Sequence, residues 1–455
     1  MNIRTGEGRQ PRIAVVGAGP CGLTTVKNLL SVGLRNVVCY DESDCIGGNW
    51  KFHEDPGRMS VYESTHIITS KPLTEFDDFP MPAEYPDFPS HQQMLAYFES
   101  YADRFDVRPH VVLDTRLEQA HRQGDGRWSL RLSGPDGGRE EIFDYLLVCS
   151  GHHREPFVPQ IPGSFSGTSL HSCAYKRPDR FRDLRVLVVG AGNSACDIAV
   201  DIAAVARQTC LSMRRGAFIV PNRIVGFPVD QVYAVARFLP RPVVQFVLSS
   251  VLRLLIGDWP RYGLQRPPGR VLETHPTLNT AILEALKDGR VSPRVGIERL
   301  DGRTVCFANG TAEPFDAIVW ATGFHMSFPF LDRSVAYWDE VRTPPLYLKM
   351  VHREIPNIFF IGLFQPIGCI WKLADYQARI AARYIVGGLP RPPDVEQRVA
   401  REMSSPHWHF DPSPRHAIQV DYHDFRRELL RELAGKSRAG TVRPPSDCRR
   451  VAEMG

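Results

Sequence analysis

Several function classes are excluded by what this sequence does not contain. Its ten cysteines form no C-x-x-C pair, and no histidine stands at metal-ligand spacing beside one of them. That removes zinc-ribbon and thioredoxin-type chemistry, and the cysteines read as reduced and structural, in a cytoplasmic compartment. No uninterrupted apolar run reaches the roughly 18–20 residues that span a bilayer, and the first eleven residues carry no apolar signal core. Charge of one sign is scarce as well. A formal net charge of +4 over 455 residues is too small for the concentrated basic face of a nucleic-acid binder. No nucleic-acid partner and no membrane contact are therefore expected. There is also no Ser/His/Asp set and no paired-carboxylate constellation to carry nucleophilic or acid–base catalysis.

What is present is an ordinary globular composition, 43% hydrophobic and 23% charged, with length enough for two or three domains. Two segments look alike: Arg12-Ile-Ala-Val-Val-Gly-Ala-Gly-Pro-Cys-Gly22 and Arg185-Val-Leu-Val-Val-Gly-Ala-Gly-Asn-Ser-Ala195. Each is a short β-branched run, a glycine turn and then a helical pattern, the opening of a βαβ unit. The fold class is α/β, with two Rossmann-like dinucleotide-binding domains. Strand-then-glycine exits at Tyr145–Gly151 and Asp316–Phe324 mark crossings between them. The expected division is 1–168 for the first domain, 169–325 for the second, 326–434 for a return to the first, and a polar, disordered tail over 435–455. Helices are expected over about 91–104 and 374–385. Strands are expected at 111–117 and 128–132, joined through the turn 134–138, and the Pro- and aromatic-rich stretch 71–89 reads as ordered loop.

In the first fingerprint Gly17 permits the tight turn, Gly19 lets a pyrophosphate approach the backbone, and Gly22 lets helix and strand pack closely. Asp41 closes the second strand, at the distance where a carboxylate bonds a ribose hydroxyl. The second fingerprint, Gly190-x-Gly192-x-x-Ala195, accepts Ala as its third small residue. Its second strand, about Thr209–Ser212, ends in Arg214-Arg215 instead of an acid. A ribose 2′-phosphate calls for arginine where a free hydroxyl calls for a carboxylate, so this is read as an NADP site. Ser194 can add a hydroxyl donor at the phosphates.

Further motifs make the chain resemble the flavin-containing monooxygenases. Gly47-Gly-Asn-Trp50 is similar to that family's G-G-x-W element, and Asp77–Pro86 to its D-F-P-x-P loop. Phe165-Ser-Gly-Thr-Ser-Leu-His171-Ser-Cys-Ala-Tyr175 matches its F-x-G-x-x-x-H-x-x-x-[FY] signature. Ala321-Thr-Gly323 and Ile361–Pro366 resemble its later elements. The resemblance implies FAD and NADPH as cofactors, and O2 and a small nitrogen- or sulfur-containing molecule as substrates. It implies oxygen transfer through a C4a-(hydro)peroxyflavin shielded by bound NADP+. By position it places Gly17, Ala18, Gly19, Pro20, Cys21, Gly22, Asp41, Gly48, Asn49, Trp50, Thr69, Leu117 and Gln365 around FAD. It places Gly190, Gly192, Asn193, Ser194, Ala195, Cys196, Asp197, Arg214 and Arg215 around NADP. His171 reads as a packing residue of the linker.

Alternatives remain open. A disulfide reductase would carry a redox cysteine pair after the Gly-Gly turn, where Asn49-Trp50 stands. A Baeyer–Villiger enzyme commonly ends the long signature in Trp, where this chain has Tyr175. An uncoupled NADPH oxidase releasing H2O2 is suggested by one departure: the family's flavin-side Asn is Ile68 here. An apolar side chain offers no hydrogen bond at that place. The apolar segment 238–257, interrupted by Gln245 and Arg253, reads as a core or substrate-pocket helix, a homodimer contact or a membrane-surface contact.

Overall fold

The computed structural model describes residues 9–236, 239–274, 276–336, 338, 343–405, 410 and 417–435. The expected polar tail falls, from residue 436 on, outside the described residues. The first fingerprint strand, Ile13–Val16, lies in the middle of a seven-stranded sheet between Val37–Tyr40 and Tyr145–Val148, parallel to both. All three strands are dominated by apolar residues and almost wholly buried, as a sheet covered on both faces requires. The next strand outward is Ile358–Phe360, parallel to Tyr145–Val148, so the chain does return to its first sheet late in the sequence. Helix Ile370–Ile385 then packs on the first glycine helix, Pro20–Ser31.

The second fingerprint strand, Arg185–Val189, lies in a separate five-stranded parallel sheet, between Ala317–Trp320 and Gln208–Ser212, with Thr168–His171 and Val291–Arg294 at the edges. Two Rossmann-like units thus stand in one chain.

Helix His91–Arg104 has the predicted limits because Ser90 and Gln93 close a capping box at its start. The expected strand 111–117 is instead two pieces, Val111–Val112 and Arg116–Arg122, broken where Asp114 adopts φ +50°. The turn near Pro135 joins Trp128–Gly134 to Gly137–Phe143, not the two strands first expected. With Gly134 and Gly137 paired across it, a two-residue loop fixes that hairpin. The stretch 71–89 contains one helical turn, Lys71–Thr74. The late helix begins at Ile370, one turn before its predicted start.

The apolar segment forms helix Arg241–Ile256. Val244, Gln245 and Leu252 face a small cluster with Phe218, Val220 and Val271. Phe246 and Leu254 on its other side are 74% and 86% exposed. The helix therefore covers a core with only one face.

Candidate cofactor and active site

The first glycine turn is closed so tightly that side chains are excluded. Gly17 sits at φ +102°, and a Cβ there would lie 2.7 Å from the Cys149 carbonyl oxygen. A Cβ on Gly22 would lie 1.7 Å from the Gly17 carbonyl oxygen, so helix and strand meet only through hydrogen. Gly19 differs. A Cβ there would make an ordinary 3.7 Å contact with Gly48 Cα. Its smallness is not demanded by the protein, which leaves the approach of a ligand as its reason. The Gly47–Trp50 loop is fastened over the turn by the Gly47 N–H donating to the Ala18 carbonyl at 2.9 Å. Gly47 holds φ +103°, a conformation suited to glycine. Pro20 occupies the first turn of the helix, which has no side-chain cap and no acidic residue in its first turn. Its N-terminal amides are open to an anion.

Asp41 is brought to this turn. One carboxylate oxygen accepts from the Ala18 N–H at 2.5 Å and the other from the Ser43 N–H at 2.8 Å. Burial pushes its pKa up while these two donors pull it down. Each oxygen keeps a lone pair for a ribose hydroxyl. Trp50 is half-buried and packs edge-on against Trp371 and Phe98 at 5.5 and 6.3 Å between centroids, which makes it a wall of the site as well as a core residue. Cys21 packs against Gly362, and burial raises its thiol well above the ordinary value. Asn49 is exposed, with its carbonyl holding the Val61 N–H. Thr69 is buried and its carbonyl accepts from the Thr74 hydroxyl. Leu117 is buried among Tyr40, Trp128 and Phe143, so its side chain serves a core and only its main chain is left for an adenine.

Gln365 lies beside His152, whose Nε2 donates to the Gln365 Oε1 at 3.2 Å. His152 Nδ1 is buried without a hydrogen-bond partner, and so is the Ser70 hydroxyl. Orphaned polar atoms in the walls of such a site fit a polar ring system that would complete them. His152 was missed in the sequence. It follows the strand Tyr145–Val148, which neighbours the first fingerprint strand, and the rule that ligands bind outside the carboxyl ends of such strands points to it.

The second turn is more open. Gly190 is backed by the Ala321 carbonyl, 2.3 Å from where a Cβ would stand, and Ala195 Cβ would lie 3.1 Å from the same point. Helix Asn193–Ala203 again lacks a side-chain cap. Ser194 is exposed at its start. Arg214 and Arg215 are exposed and form no ion pair among the described residues. Arginines left without an anion at the end of the second strand are what a 2′-phosphate requires.

Three residues expected at NADP are engaged elsewhere. Cys196 is wholly buried in the core and its N–H bonds the Gly192 carbonyl. The Asn193 side chain accepts from the Leu278 N–H. Asp197 accepts from the Tyr62 hydroxyl at 2.7 Å and from the Asn279 amide at 2.5 Å. Helical periodicity turns residues 196 and 197 away from the first turn's open amides, and Asp197 thus links the two units.

His171 is a packing residue, as expected. Its Nδ1 accepts from the Cys173 N–H and its Nε2 donates to the Gly323 carbonyl at 2.9 Å. Burial holds its pKa down, so the neutral ring ties the linker to the Ala321–Gly323 exit.

Comparison with known proteins agrees with this architecture. A family described as flavin-binding monooxygenase-like matches residues 10–440. Flavin-containing monooxygenase 5 of Homo sapiens is 35% identical over 93% of this chain and 83% of its own length. The rat protein dimethylaniline monooxygenase [N-oxide-forming] 2 is 33% identical over the same shares. The solved S-allyl-L-cysteine S-oxygenase of Allium sativum superposes with a TM-score of 0.69 at 22% identity, covering 94% of this chain and 89% of that one. With two glycine turns of opposite ribose chemistry in one fold, the chain belongs to the flavin-binding monooxygenase family, oxidoreductases that use FAD, NADPH and O2 on small molecules.

Proposed function

We propose that the protein transfers one oxygen atom from O2 to a small substrate with a soft nitrogen or sulfur nucleophile, using electrons from NADPH. The observation that carries this reading is the likeness, over 93% of the chain, to an N-oxide-forming monooxygenase. It is joined to a first turn closed by Asp41 and a second closed by arginines that form no ion pair among the described residues. Residues 1–168 and 326–434 would hold FAD, and 169–325 NADP. Gly17, Ala18, Gly19, Pro20, Gly22 and Asp41 bind the adenylate half of FAD. Gly48, Asn49, Trp50, Thr69 and Gln365 shape its other end. Gly190, Gly192, Ser194 and Ala195 take the NADP phosphates, and Arg214 and Arg215 its 2′-phosphate.

FAD, when bound, supplies hydride uptake and the activation of O2. The side chains orient and exclude water. Trp50 and Trp371 form a packed aromatic wall, and His152 and Gln365 present polar groups at its side. Ile68 adds bulk without a donor.

That last feature favours a second reading, an uncoupled NADPH oxidase. NADPH consumption over amines, sulfides, ketones and 2-oxo acids, with H2O2 measured in parallel, separates the two. Oxygenated product from an amine or sulfide supports the first. Stoichiometric H2O2 with every candidate supports the second.

A further inference from the structure

Asp230 stands apart from both glycine turns, in the first turn of helix Val229–Ala236. It lines a cavity of roughly 50 Å³ walled mostly by residues between Val220 and Leu278 and completed from the beginning and the end of the chain. Leu73 and Gly368 contribute from the segments just beyond Ser70 and Gln365. Tyr233, Tyr422 and His423 add aromatic rings, and most of the remaining lining is aliphatic.

Two facts distinguish the carboxylate. Its hydrogen bonds are to main-chain N–H groups, from Ser70 at 2.6 Å and from Gln231 at 2.9 Å. No arginine, lysine or histidine pairs with it among the described residues. The carboxylate is half-buried beside a mainly aliphatic wall and has no counter-ion of its own among the described residues, so its charge is available to a cation that enters the cavity. A second carboxylate, Asp421, stands behind Tyr233 and accepts from its hydroxyl at 3.0 Å, which adds to the negative field. Aromatic rings with a carboxylate are the means by which proteins hold alkylated ammonium groups, too bulky and too weakly hydrated for a simple ion pair. The cavity is compact: its space is several times the roughly 10–15 Å³ that a single water needs, which suits a small head group and not an extended chain.

We propose that this cavity binds a trialkylammonium head, with Asp230 as its counter-ion and Tyr233 and Tyr422 as its aromatic walls. A cation held there is not itself the atom to be oxidised, because a quaternary nitrogen has no lone pair. The site selects substrates whose soft nucleophile is carried at some distance from a cationic head. This catalytic consequence rests on the function proposed above; the binding site does not.

The test separates charge from shape. Choline and its neutral isostere 3,3-dimethylbutan-1-ol are titrated calorimetrically into the holoenzyme with FAD and NADP+ bound. Choline is expected to bind at least tenfold more tightly. Asp230→Asn retains an oxygen for the Ser70 N–H but removes the charge, and is expected to abolish the preference. Tyr233→Leu is expected to weaken choline severalfold and leave the alcohol unchanged. Absence of choline binding, or an undiminished preference in Asp230→Asn, overturns the proposal. Turnover is then compared for 2-(methylthio)ethyl-trimethylammonium and 3,3-dimethylbutyl methyl sulfide, which differ only by N+ for C. A tenfold preference in kcat/KM for the cation that falls to about one in Asp230→Asn supports the substrate assignment. If choline binds as expected and neither sulfide is oxygenated, the pocket stands: the substrate assignment fails when another amine or sulfide of the screen above is oxygenated, and the proposed function fails when none is.

Discussion

The two glycine turns begin from nearly the same residues and end as different devices. The first is shut from behind by Gly22 against Gly17 and roofed by the Gly47–Trp50 loop. Its acid, Asp41, is half-buried and held by two main-chain donors. The second tolerates Ala195 in place of the third glycine, and its arginines stand exposed, with no ion pair among the described residues. A closed site with a fixed acid suits a cofactor that stays. An open site with exposed cations suits one that enters and leaves each turnover, attracted by charge.

The strongest way to break this comparison is at the third small residue. Gly22→Ala places a methyl group 1.7 Å from a carbonyl oxygen, which no rotamer relieves. Soluble, folded holoprotein is expected to be lost, as read by yield and flavin absorbance. The counterpart Ala195→Gly is expected to fold normally. A folded Gly22→Ala protein with full FAD would remove the packing argument.

Gly19 separates protein from ligand. Because Gly19→Val meets no backbone nearer than 3.7 Å at its Cβ, the variant is expected to fold yet keep less than a tenth of its FAD. Circular dichroism and flavin content measured on one sample decide this.

At the second turn, replacing Arg214 and Arg215 by Ala is expected to raise the KM for NADPH roughly ten- to a hundredfold. That corresponds to about 1.5–3 kcal/mol for a charge-assisted contact. The KM for NADH should hardly move. Equal losses with both coenzymes would make the arginines structural.

A smaller effect is expected at Ile68. Ile68→Asn restores a donor where the resembled family has one, and the rate of H2O2 release without substrate should fall severalfold. An unchanged or higher rate would show that another group already serves, such as the neighbouring Thr69.

The smallest effect tests the bridge between the units. Tyr62→Phe leaves Asp197 with one donor fewer and should cost about 1–2 kcal/mol in urea denaturation, with FAD content unchanged.

Both turns, the acid after the first and the arginines after the second were legible because each is local. Strand, turn and helix are contiguous, and their chemistry repeats at fixed spacing. The capped helix His91–Arg104 was legible for the same reason. Local patterns were less informative where a side chain had to choose a distant partner. Asp197 has the position of a cofactor residue, yet Tyr62, 135 residues earlier, claims its carboxylate. Leu117 lies on a strand as expected, but whether its side chain meets adenine or core depends on Trp128 and Phe143 across the sheet. The hairpin at Pro135 was assigned to the wrong strands because its second strand, Gly137–Phe143, is polar and largely solvent-facing and shows no apolar alternation.

The sequence alone therefore determined the class of protein, the number of dinucleotide sites and the coenzyme preference expected at each, since these rest on short contiguous motifs. Only the tertiary structure decided which of the nominated side chains are free to act. It engaged Cys196 and Asp197 and left Arg214 and Arg215 without an ion pair among the described residues. It also brought Asp230 beside Ser70, 160 residues away in the chain. Hydrogen-bond partners and burial depend on packing between distant segments, and a one-dimensional pattern does not encode which surfaces will meet.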